Sequence, residues 1–93
     1  MSVALVLPGQ LRPLAEGRST VPLDGAAGTV GQALAQLRAE LPAIHDRIFT
    51  ERGELRPHVN VFVGKTDIRW SGGLETPVEE GAELVILPSV SGG

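Results

Sequence analysis

One stretch of this chain repeats its apolar residues at helical spacing for more than two turns. Val30, Ala33, Leu34, Leu37 and Leu41 follow the i, i+3, i+4, i+7 rhythm of a single buried stripe, while Gln32, Gln36, Arg38 and Glu40 fall on the other side. Thr29 with Gln32 three residues later has the form of a capping box, so the helix is predicted to open there and to stop before Pro42. An amphipathic helix cannot bury its stripe alone, so the rest of the chain must supply an apolar face. With 93 residues there is material for one modest core, not two.

That face is predicted to be a sheet. Val3 to Leu7 is a short apolar run ended by Pro8-Gly9, which reads as a strand buried on at least one face and then a turn. Arg18 to Leu23 suits a second strand, giving a hairpin opening. From His58 the pattern turns to period two, with Val59, Val61 and Val63 assigned to the core side and His58, Asn60 and Phe62 to the other. Ile68-Arg69-Trp70 reads as a short strand after the turn-like Gly64 to Asp67, and Leu74 to Val78 as irregular chain. The last strand runs from Glu83 or Leu84 to Leu87. Ile44 and Ile48, four apart, suggest a short second helical turn. The order of strand, strand, helix, strand, short strand, strand defines an α+β layer with one main helix across a mixed sheet.

The end of the chain is organised differently. Pro88 has no backbone N–H, so pairing of the last strand is predicted to fail there. Beyond it Ser89 to Gly93 have little to bury, so the chain divides into a domain over residues 1–88 and a flexible tail over 89–93. Five extended residues reach at most about 17 Å, enough to carry a terminal carboxylate into a partner's cleft. Terminal glycines let a neighbouring protein close tightly around that backbone.

Composition narrows the chemistry. A net charge of -3 with no Lys/Arg cluster leaves no footprint for nucleic acid or an anionic membrane. Without cysteine there is no disulfide, zinc-thiolate site or thiol nucleophile, which fits a cytoplasmic protein. No apolar run is long enough to span a membrane. Gly64-Lys65-Thr66 copies the end of a phosphate-binding loop, but Val59 stands where the earlier glycine is needed. His45 and His58 lack the spacing of a metal site, and Glu51, Glu54, Glu79 and Glu80 read as solvated turn charges rather than acid–base pairs. Arg56 and Arg69 read as surface charges, and Trp70 as a residue packed over the sheet edge.

Taken together with the tail, the closing stretch Glu80-Gly81-Ala82-Glu83-Leu84-Val85-Ile86-Leu87-Pro88-Ser89-Val90-Ser91-Gly92-Gly93 and the segment Arg56-Pro57-His58-Val59-Asn60-Val61-Phe62-Val63 resemble the ubiquitin-like β-grasp proteins of the MoaD/ThiS sulfur-carrier family. Asp67-Ile68-Arg69 and Gly73-Leu74-Glu75-Thr76-Pro77 resemble the branch that delivers sulfur to a cysteine synthase. The resemblance implies a carrier rather than an enzyme, with no catalytic residue, metal or bound cofactor of its own. An E1-like enzyme would adenylate the Gly93 carboxylate with ATP, and a sulfur donor would convert it to a thiocarboxylate. Gly92, Ser91 and Val90 would thread into the partner. The acceptor would be a pyridoxal-phosphate cysteine synthase, with a metalloprotease releasing the product.

The resemblance further implies docking through apolar residues of the sheet face away from the helix. Alternation assigns Phe62, Val85 and Leu87 to it, although Phe62 could equally cover a sheet edge. Glu79, Glu80 and Glu83 are candidates to meet a basic partner surface. Sulfur donation to molybdopterin, thiamine or natural-product synthesis remains open beside cysteine synthesis. So do a ubiquitin-like modifier that forms isopeptide bonds and a non-covalent interaction module.

Overall fold

A computed structural model describes residues 2–24 and 28–88. Five strands form one mixed sheet: β1 (Ser2–Val6), β2 (Thr20–Asp24), β3 (Val59–Val63), β4 (Thr66–Asp67) and β5 (Glu83–Pro88), in the order β2-β1-β5-β3-β4. β1 and β5 are parallel at the centre, and every other pairing is antiparallel. Alternation along β1 puts Val3 and Leu5 in the core, leaving Ala4 and Val6 half-buried on the opposite face. Val21, Leu23, Val61, Leu84 and Ile86 join the inner face, with Val59 and Val63 packed at its margin.

Helices cover that inner face. Thr29 caps α1 (Val30–Ala35): its hydroxyl accepts from the Gln32 N–H at 3.2 Å, and the Gln32 side chain accepts from the Thr29 N–H at 3.1 Å. The Val30 N–H, an orphan at the helix start, donates to the Thr76 carbonyl at 2.9 Å. At Gln36 the N–H reaches back to Ala33 at 3.2 Å, a tighter turn that separates α1 from α2 (Leu37–Glu40). The predicted stripe nevertheless continues across the break, with Val30, Ala33, Leu34 and Leu37 all fully buried.

Leu41 precedes a proline and is pushed out of the helical region, at φ -140° and ψ 69°, which ends α2. Pro42 then opens α3 (Pro42–Ile48), where a proline costs no hydrogen bond. The expected single helical turn is therefore a helix of seven residues, with Ile44 and Ile48 both buried against the sheet.

Two expectations near the strands need correction. β5 keeps its pairing through Pro88, which lies opposite Val59. Beyond Val85 the strand pairs with β3 alone, so a residue without an N–H sits where one side makes no ladder. The strand predicted at 68–70 is a 3-10 helix (Ile68–Trp70), preceded by the two-residue β4 within the stretch read as a turn. Period two would have put Ile68 and Trp70 on the same side. With three residues per turn they diverge, so Ile68 is buried while Trp70 is 83% exposed, not packed over the edge.

Candidate functional site

The strand register brings Phe62, Val85 and Leu87 together. Phe62 lies directly opposite Val85, and Asn60 opposite Leu87, so all four share the face turned away from the helices. Val6 is the β1 neighbour of Val85 and extends the apolar strip by another strand. Phe62, Val85 and Val6 are half-buried, and Leu87 is 43% exposed one residue before Pro88. A neighbouring protein can cover this strip without moving the core, because Leu84 and Ile86 on the same strand are already buried on the other side.

Val6 and Asn60 are additions to the predicted set. Val6 was legible in principle, because Val3, Leu5 and Leu7 on the core side leave it outside by alternation; its adjacency to Val85 depends on the β1–β5 pairing. The tail residues Val90, Ser91, Gly92 and Gly93 lie outside the described residues. Their point of departure is described, at Pro88.

Beside it, on the inner side, is a cleft of about 100 Å³ lined by Pro8, Gln10, Leu11, Arg47, His58, Val59 and Ile86. Glu79 and Glu80 precede β5 and lie at the end of the strand away from Pro88, whereas Glu83 is beside Ala4. The three acids therefore do not gather at the tail's root. His45 stacks on Phe49, with ring centroids 4.7 Å apart, and does not approach a metal site. Among the described residues no cluster of three His, Cys, Asp or Glu side chains could hold an ion, and no helix is long and apolar enough to cross a membrane.

Arg69 is not an ordinary surface charge. Its Nη2 donates to Asp67 Oδ2 and to Asn60 Oδ1, each at 2.8 Å, while its Nε donates to Asp67 at 3.2 Å. The Arg69 backbone N–H also donates to Asp67 Oδ1 at 2.9 Å. The guanidinium hydrogen bonds, followed by the backbone one, hold the Asp67 carboxyl below its ordinary range. Reciprocally, the Asp67 carboxylate raises the affinity of Arg69 for its proton. Spacing alone concealed this group, because Arg69 reaches Asn60 only after the β3–β4 turn folds it back.

A five-stranded β-grasp sheet, a helical layer on one face and an apolar opposite face beside the chain's exit define a ubiquitin-like carrier. The chain belongs to the ThiS family, whose model matches residues 5–93, and is a sulfur carrier of the ThiS/MoaD type. It is 36% identical over 95 residues to the sulfur carrier protein CysO of Mycobacterium tuberculosis, covering 100% of both chains. The crystal structure of that protein aligns with a TM-score of 0.83, covering 95% of this chain and 99% of the other. A chain of the Amycolatopsis orientalis BexX/CysO complex aligns with a TM-score of 0.84 and 36% identity, over 98% of this chain and 99% of the other. The small archaeal modifier SAMP1 of Haloferax volcanii aligns at 0.81 with 35% identity, over 100% of each.

Proposed function

We propose that this chain carries sulfur as a thiocarboxylate on Gly93 and delivers it in cysteine biosynthesis. What carries the reading is the full-length similarity to CysO, combined with an apolar outer face that ends one residue from the tail's root. The Gly93 carboxylate is a poor electrophile, since its charge and resonance oppose attack. In the proposed route an E1-like enzyme joins a carboxylate oxygen to the α-phosphate of ATP and pyrophosphate leaves. A sulfur donor then displaces AMP from the acyl carbon. The resulting thiocarboxylate is a protein-bound nucleophilic sulfur, and the carrier's contribution is to position it inside another enzyme.

Phe62, Val85 and Leu87, extended by Val6, form the surface on which activating and accepting enzymes dock, while Val90, Ser91 and Gly92 thread into the partner and Gly92 with the serines keeps the approach to Gly93 thin. The existence of a BexX/CysO complex supports docking of a carrier of this shape on a second protein. A pyridoxal-phosphate cysteine synthase is the proposed acceptor, with a metalloprotease freeing the product, in the cytoplasm. The test is the intact mass of the chain purified from its own host. A gain equal to the sulfur-minus-oxygen difference, absent after deletion of Gly93, is the expected result. The similarity to SAMP1 favours one second reading, a modifier linked to lysines. High-mass conjugates that vanish with Gly93, in place of the small mass gain, would establish that reading instead.

A further inference from the structure

We propose that Arg69 receives a carboxylate, from an Asp or Glu side chain, at the edge of the contact surface of the protein that docks on the outer face. The proposal rests on the docking reading above and names the chemistry the partner must bring. Register places Asn60 opposite Leu87 and Asp67 opposite Phe62, so both acceptors of the guanidinium stand on the outer face beside its apolar strip. Arg69 comes back over them from the 3-10 helix and is held there at three acceptor oxygens, Asp67 Oδ1 at 3.4 Å, Asp67 Oδ2 and Asn60 Oδ1.

These contacts occupy the Nε and Nη2 side of the group. Nη1 donates to no described residue, and the side chain is 63% exposed, whereas Asp67 is only 11% exposed. Asp67 also spends part of its charge on the Arg69 backbone N–H, so an approaching protein meets the cation first. The strand residues of the outer face, from Thr20, Pro22 and Asp24 on β2 through Ser2, Ala4 and Val6 on β1 and Glu83, Val85 and Leu87 on β5 to Asn60, Phe62 and Asp67, include no Lys or Arg. Arg69 is thus a positive group held over a face whose strands supply none, and Glu83 on β5 and Asp24 on β2 mark negative points away from it.

Two physical effects make such a group useful. A guanidinium already braced by two side chains loses little rotamer freedom when it binds, and its planar N–H pair matches a carboxylate. Covering Phe62, Val85 and Leu87 removes water from beside it, which strengthens the charged hydrogen bond and punishes a partner that brings an apolar or basic group there. Arg69 therefore selects among proteins able to cover the same apolar strip.

The experiment follows adenylation of the full chain by the E1-like enzyme of its own host, through pyrophosphate release. Arg69→Ala is expected to raise KM about tenfold or more with kcat unchanged, as loss of a charged hydrogen bond predicts. Arg69→Lys keeps the charge without the fork and should recover part of the loss, while Arg69→Glu should exceed the loss in Arg69→Ala. Unchanged circular dichroism across the series would separate docking from folding. If Phe62→Ala or Leu87→Ala raises KM while Arg69→Ala stays within about twofold, the face docks but Arg69 only braces β4, and the proposal is overturned. A lower KM for Arg69→Glu also overturns it, by showing a basic partner. Absence of adenylation of the unaltered chain would instead bring down the functional reading on which it rests.

Discussion

β5 carries two different surfaces on alternate residues. Leu84 and Ile86 are 0% and 2% exposed beneath the helices, whereas Val85 is half-buried and Leu87 is 43% exposed on the side where no helix lies. The residue types are nearly the same. What separates them is the period of the strand and the position of one helical layer, so hydrophobicity has two uses here: on the inner face it closes the core, and on the outer face it is left for another molecule.

The comparison breaks most visibly at Leu84. Its side chain is fully enclosed, so Leu84→Ala removes transfer energy and leaves a cavity, for an expected loss of about 2–5 kcal/mol in urea or thermal unfolding. In a domain of this size that is a large part of the total stability. Leu87→Ala, three residues along the same strand, is expected to move stability by less than about 0.5 kcal/mol. Its effect should appear instead as a roughly tenfold weaker complex with the activating enzyme, measured by calorimetry. Equal destabilisation by the two variants would show that the outer face is core, and equal indifference in binding would show that it is idle surface.

Much of this division was legible in advance, and the reasons are local. A two-residue period sends Val61, Leu84 and Ile86 inward and Val85 and Leu87 outward once one face is buried, whereas for Phe62 it leaves a place over the sheet edge open, and only the register opposite Val85 decides. The capping box at Thr29 and the stripe through Leu37 depend on residues three and four apart, and both are present. Where the reading failed, the deciding partner was distant or the period was ambiguous. Three residues, Ile68 to Trp70, are too few to distinguish a strand from a 3-10 turn, and the error reversed the side on which Trp70 lies. The pairing at Pro88 depends on β1 having already parted from β5, which no local pattern records. Arg69 looked like a solvated charge because Asn60 is brought to it by the β3–β4 turn, and Asp67, two residues earlier, meets it through the 3-10 turn that the sequence did not reveal.

A smaller effect tests how the covering layer is held. Thr29 and Gln32 satisfy two backbone donors at the start of α1, so Thr29→Ala should cost about 1 kcal/mol by thermal unfolding. Because α1 lies on the inner side, partner affinity measured at a temperature where both proteins are folded should be unchanged. A binding defect in this variant would mean that the helical layer takes part in docking, and the two faces would then not be independent.

The smallest effect belongs to the rim of the outer face and has a definite pH sign. The Asp67 carboxyl is held below its ordinary range, so the folded chain binds its proton less readily than the unfolded chain does. Its stabilising contribution is therefore complete above the unfolded carboxyl range, near pH 4, and is lost as pH falls through the lower folded value. Asp67→Asn removes the titration while keeping an oxygen that can accept from Arg69. Melting temperatures of the two proteins should differ slightly at neutral pH, with the unaltered chain higher, and should converge as pH falls below about 4. A difference that persists undiminished at lower pH would assign the effect of Asp67→Asn to altered hydrogen-bond geometry around the Arg69 N–H groups. The ion pair would then orient Arg69 over the outer face without contributing to the stability of the core beneath it.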